Sequence, residues 1–166
     1  MNIMCHGAAN KSEDPLDRAA AHCAARGARL TPIRRDVLDL LLRHENGLKA
    51  YDLLAQIKQL RSNATPPTVY RALDFLIEQG LVHKIGRINQ FVACRHESHD
   101  LPGLFLVCPH CGKVSELHDS ALMQALLRSI ARAGHALDCQ EVEVSSTCPD
   151  CRATGPSTQG SDFNVK

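Results

Sequence analysis

Two cysteine pairs, Cys108-Pro-His-Cys111-Gly and Cys148-Pro-Asp-Cys151, limit the shapes open to this chain more than any other feature. In a CxxC knuckle the backbone turns so that both sulfurs converge, and two knuckles supply a tetrahedral set of four thiolates. That set suits zinc in a closed, structural site with bonds of about 2.3 Å. The 36 residues between Cys111 and Cys148 exceed what a minimal zinc ribbon holds, so a strand and a helix must fit inside the metal-closed loop. An iron–sulfur centre, a redox CxxC and two unrelated cysteine pairs are the alternatives. His110, inside the first knuckle, reads as a spectator.

Metal is favoured over disulfide by the setting. The opening MNIMCHGAANKSEDP has neither a basic n-region nor an apolar h-region, so it does not resemble a signal peptide. No apolar run approaches the ~18 residues of a membrane span. The expectation is a cytoplasmic protein with reduced thiols and no membrane association. Net charge is +1, which argues against a nonspecific polycation. The charge is split: residues 1–87 carry 13 Lys/Arg against 9 Asp/Glu, and residues 88–166 carry 6 against 9. A positive first half suits a phosphate-contacting module.

Residues 1–14 show no periodicity and are expected to be loose, with Cys5 and His6 as bystanders. A first helix is predicted from Pro15 or Leu16 to Arg26, closed by Gly27, and Cys23 in it reads as a small buried hydrophobe. In the second, Thr31 is placed to cap and Pro32 to open the helix, with Ile33, Val37, Leu40 and Leu41 on one face. AYDLLAQIKQL sets Leu53, Leu54, Ile57 and Leu60 on a stripe. Thr65 then caps PPTVYRALDFLIEQG, whose Val69, Ala72, Leu73, Leu76 and Ile77 recur at threes and fours. Thr68, Tyr70, Arg71 and Asp74 are left on the opposite side, where a recognition helix faces base edges. Arg71 has the donors for guanine O6 and N7, and Tyr70 fits a phosphate or a thymine methyl.

LVHKIGRINQFVAC alternates in strand fashion around Gly86, with Lys84 and Arg87 near the tip. A hairpin in that place is the wing of a winged helix, its basic tip aimed at the sugar–phosphate backbone. From Gly103 the pattern changes: GLFLV and KVSEL are short strands, and HDSALMQALLRSIARAG is a helix with Leu122, Ala125, Leu126, Ser129 and Ile130 on one face. ALDCQEVEVSS reads as an edge or interface strand. So little material buries a small core, so this half is expected to complete itself by dimerising.

A second ligand constellation lies where the two patterns meet. His83, Cys94, His99 and Glu116 come from the wing, its end, the connecting loop and the strand after the first knuckle. A mixed nitrogen, sulfur and oxygen set suits a reversible zinc site. His96 competes with His99 for one position, and His118 is a further option.

Together, RLTPIRRDVLDLL, AYDLL, PPTVYRALDFLIEQGLVHKI, CPHCGKVSEL and the final CPDC resemble the ferric uptake regulator family of bacterial metalloregulators, and within it the zinc-uptake branch. The resemblance spans Leu16 to Cys151. It implies a homodimer that binds a double-stranded DNA operator and represses zinc-uptake genes when zinc is replete. It further implies two zinc ions per chain. Cys108, Cys111, Cys148 and Cys151 match the structural site, and His83, Cys94, His99 and Glu116 the regulatory one. Tyr70 and Arg71 match DNA-reading positions, and Tyr51 a backbone-contacting one. Iron-sensing relatives carry a dense His-rich run where this chain has RHESHDLPG, and the thiolate of Cys94 is a softer ligand than ferrous iron prefers.

The expected fold is therefore α+β. Residues 15–95 form a helix–turn–helix with a β-hairpin wing, 96–102 a hinge, 103–152 a small α/β dimerisation domain around the four-cysteine zinc site, and 153–166 a disordered tail. A zinc deaminase needs H-x-E with P-C-x-x-C; here His96 and Glu97 are adjacent and each proline follows its first cysteine. No small-molecule substrate or enzymatic activity is expected. The rival readings are a zinc-ribbon adaptor that binds protein, and a family member sensing iron or manganese.

Overall fold

The computed structural model describes residues 14–94, 101–139 and 141–154. It opens with four helices: α1 Pro15–Ala25, α2 Pro32–Arg43, α3 Ala50–Leu60 and α4 Pro66–Glu78, with a two-residue strand, β1 Leu48–Lys49, before α3. Asp14 caps α1 by accepting from the Leu16 amide at 3.0 Å, and Gly27 takes the left-handed conformation (φ 69°) that ends it. Thr31 and Thr65 do not cap with their side chains as expected. In α4 the prolines at 66 and 67 leave the first two positions without donors, and the Thr68 amide goes to the Thr65 carbonyl at 3.0 Å. The Thr65 hydroxyl bonds that of Thr68 at 2.8 Å instead.

The helices bury the faces that the sequence periodicity picks out. Val37, Leu38, Leu40 and Leu41 from α2, Leu53 and Ile57 from α3, and Val69, Ala72, Leu73 and Leu76 from α4 share one core. Each full burial of a Val, Leu or Ile side chain here is worth about 1.5–3 kcal/mol. Leu60 departs from the expected stripe and is 61% exposed, because α3 runs out one turn beyond the core.

Two strands follow, β2 Val82–Ile85 and β3 Gln90–Ala93, joined by a single 3-10 turn, Gly86–Ile88, and by Asn89 at φ 51°. They pair antiparallel from Val82↔Ala93 to Ile85↔Gln90, and β1 adds to the far side of β3. Both faces of this hairpin carry buried residues. Val82, Phe91 and Ala93 join the helical core. Ile85 and Val92 pack with Phe105, Val107 and Val114 of the second half.

That second half holds β4 Gly103–Val107, β5 Val114–Leu117, helix α5 Ser120–Arg132, β6 Glu141–Ser145 and a short helix, α6 Pro149–Ala153. The strand order is β5-β4-β6, with β4 antiparallel to β5 and parallel to β6. Among the described residues of α5 only Met123 is buried; Leu122 is 45% exposed, and Leu117 and Val144 are also open. Of the five-residue face expected there, Leu122, Ala125 and Ser129 are exposed within one subunit, and Leu126 and Ile130 are half-buried. Among the described residues no helix is long and apolar enough to cross a membrane.

Candidate metal and DNA-binding sites

The two knuckles are built at the end of the β4–β5 hairpin and the start of α6. Gly112, at φ 73°, allows the turn that returns its amide to the Cys108 carbonyl at 3.0 Å. Pro149 opens α6, and the Cys148 sulfur accepts from the Cys151 amide at 3.5 Å. Lys113 and Asp150 pair across the two knuckles at 2.9 Å. The sulfurs of Cys108, Cys111, Cys148 and Cys151 all fall within 4.8 Å of one another.

The electrostatics of the cluster favour a cation. The Cys148 amide donates to the Cys108 sulfur and draws that thiol down to about 6, against its burial. Hydrogen bonding to Cys111 and Cys148 pushes the Cys151 thiol up to about 12. Four thiols this close cannot all ionise against one another unless a positive charge sits among them. A divalent ion with a preference for sulfur and a tetrahedral shell fits that demand. His110 is exposed beside the cluster.

The junction residues are arranged differently. His83 on β2 is buried, and its ring lies 5.0 Å from that of Phe105 on β4. Its Nδ1 pairs with Glu141 Oε1 of β6 at 3.0 Å, while its Nε2 is buried with no hydrogen-bond partner. Burial alone would depress this imidazole, but Cys94 and Glu141 outweigh it and lift it to about 9. Cys94 follows β3, its amide held by the Leu81 carbonyl at 2.9 Å. Glu116 on β5 stands opposite Phe105 and lines a cavity of about 250 Å³ whose other walls include Val92, Ala93, Glu45 and Asn46.

His83, Cys94 and Glu116 thus border one junction, yet among the described residues they are not gathered within 4.8 Å of one another. His96 and His99 lie outside the described residues, as do Cys5 and His6. Cys23 is fully buried in α1, and its thiol is raised mainly by that burial, which is how a small hydrophobe behaves.

The expected DNA-facing side chains share exposure. Tyr51, in the first turn of α3, is 80% exposed and Tyr70 51% exposed. Thr68 and Arg71 are exposed with Tyr70 on the side of α4 away from its core residues, and Lys84 is the exposed residue of β2. Two functional candidates were not legible in the sequence. Glu141 receives His83, and Glu143 receives the Gly86 and Arg87 amides at 2.6 and 3.1 Å. Their only signal was acidic residues two apart in an alternating strand.

Comparison with known proteins bears on these sites. Residues 25–145 match the model of the Ferric uptake regulator family. The chain is 36% identical over 141 residues to the zinc uptake regulation protein of Escherichia coli (strain K12), covering 84% of this chain and 82% of that one. It is 29% identical over 138 residues to the ferric uptake regulation protein of Synechococcus elongatus, covering 76% and 88%. Among solved structures, a zinc uptake regulator complexed with zinc and DNA aligns with a TM-score of 0.74 at 36% identity, over 84% of this chain and 93% of that one. Holo XcZur aligns at 0.72 and 39% identity, over 83% and 96%.

Proposed function

Because the chain belongs to the ferric uptake regulator family, we propose that it is a homodimeric, zinc-responsive repressor that binds DNA operators of zinc-uptake genes. It acts in the cytoplasm, where its thiols stay reduced. Residues 15–95 form the DNA-binding domain, residues 103–152 the dimerisation domain, and 96–102 the hinge between them. Each chain takes two zinc ions, one structural and one regulatory. Cys108, Cys111, Cys148 and Cys151 hold the first. His83, Cys94, Glu116 and either His99 or His96 hold the second.

The observation that carries the reading is His83. Its Nδ1 is committed to Glu141, which fixes the ring, and its Nε2 is buried without a partner at the junction of wing and sheet. A carboxylate behind an imidazole is the arrangement that orients a metal-ligating histidine. These residues would hold zinc, which would there supply a tie between the two domains. The residues do the rest. His83 and Cys94 report the wing's position, Glu116 that of the sheet, and holding them together removes hinge freedom. A dimer reads two half-sites only when the distance between its recognition helices matches the groove spacing. Operator and zinc therefore strengthen each other by the same factor.

Operator-duplex titrations at buffered free metal test this. Binding is expected to rise at lower free zinc than free ferrous iron or manganese, given the Cys94 thiolate; activation by manganese at an equal or lower free concentration would contradict the ligand set. In the same assay, Arg71→Ala is expected to weaken operator binding by about 1–3 kcal/mol, with dimerisation and zinc content intact. If the variant discriminates operator from random duplex as the parent does, α4 is not the reading helix.

A further inference from the structure

β6 reaches across to the wing with carboxylates at positions 141 and 143, which stand in register with Gly103 and Phe105 of β4. Glu141 takes His83 in the middle of β2, and Glu143 takes the tip. At that tip the ladder ends with Ile85↔Gln90, so the amides of Gly86 and Arg87 find no strand partner. One Glu143 carboxylate satisfies both, Oε1 accepting from Gly86 at 2.6 Å and Oε2 from Arg87 at 3.1 Å. Bonds from two backbone N–H groups to an ionised carboxylate are short, directional and stronger than neutral ones.

Beneath this contact lies the apolar layer of Ile85, Val92, Phe105, Val107 and Val114. Apolar packing attracts the wing to the sheet without setting its angle, because the hydrophobic effect is non-directional. Two polar ties two residues apart on one strand do set an angle. We propose that Glu143 is a positioning residue for operator binding: by bridging both wing-tip amides it holds the wing, and with it the recognition helix, at one orientation to the dimerisation sheet. It touches no DNA in this role. A carboxylate that merely restrained the wing tip would act in the opposite direction, by occupying donors that a phosphate would use. A restraining Glu143 and a positioning Glu143 predict opposite signs.

The proposal rests on the DNA-binding reading above, and its test separates the two. Full-length, zinc-loaded parent, Glu143→Ala and Glu143→Gln are compared by zinc content, sedimentation, amide hydrogen exchange and operator titration at fixed salt. Glu143→Ala is expected to stay a dimer with parental zinc, while exchange at Gly86 and Arg87 quickens about tenfold with β4 and β5 unchanged. Its operator affinity is expected to fall about five- to tenfold. Glu143→Gln, which keeps one acceptor oxygen, falls between. Operator binding equal to or tighter than the parent's overturns the proposal. So does exchange at the tip that stays parental, or that rises across β4 and β5 together, which would mark a folding role. The exchange measurement uses no DNA, so a failed clamp is told apart from a parent that binds no operator.

Discussion

Cys108→Ser is expected to leave a chain that dimerises poorly, carries little zinc and aggregates. Cys108 is buried at the end of β4, where its sulfur meets those of the second knuckle. Around it the second half has little else to hold it: three short strands, one helix with a single buried residue, and a five-residue helix too short to persist alone. In small modules, binding free energy at a structural zinc site is folding free energy, about 10–16 kcal/mol near neutral pH. That exceeds what a core of this size provides. The parallel pairing of β4 with β6 is the most exposed to the loss, because those strands are joined only through a long crossover that the two knuckles close. Zinc stoichiometry, sedimentation and circular dichroism on the purified variant check the result. A folded, zinc-responsive Cys108→Ser dimer would show that the four thiolates are not structural.

Cys94→Ser is expected to behave in the opposite way, staying folded and dimeric with one zinc per chain while losing zinc-dependent operator binding. Its backbone is anchored by the Leu81 carbonyl, and its side chain lies at the wing's end, apart from the thiolate cluster. Serine keeps the shape but offers zinc a far poorer ligand than a thiolate. The loss therefore falls on the coupling between sites, typically about 1–3 kcal/mol, or roughly 5- to 150-fold in affinity. Operator titration across buffered free zinc, alongside metal analysis, reads both halves of this expectation. A variant that responds to zinc as the parent does would remove Cys94 from the regulatory site. Together the two substitutions separate a site that makes the fold from one that uses it.

What could be read from the residues alone was whatever depends on near neighbours. The period of α2 and α4 named their buried faces, and CxxC spacing named the four sulfurs that the structure draws within 4.8 Å. What could not be read depends on partners far along the chain. Leu60 repeats in phase with Ile57, but nothing local says that the core ends one turn earlier. The segment around Glu141 and Glu143 reads as an edge or interface strand, and only the parallel pairing of β6 with β4 brings their carboxylates to the wing. That Glu116 stands in register with Phe105, whose ring lies 5.0 Å from that of His83, depends on the pairing of β4 with β5. The face of α5 was legible as apolar, but how much of it stays exposed in a single subunit was not.

The double burial of the wing bears on how such a repressor drifts in evolution. A hairpin with one wet face has alternate positions free to vary, and changes there retune its contacts while its packing stands still. This hairpin has spent both faces, one on the helical core and one on the sheet. Of β2, only Lys84 is exposed. Divergence in operator preference through the wing therefore has a narrow route, position 84 and the turn beyond it. Most other substitutions in the hairpin fall on a residue packed in one core or the other, and so disturb packing before they can retune a DNA contact.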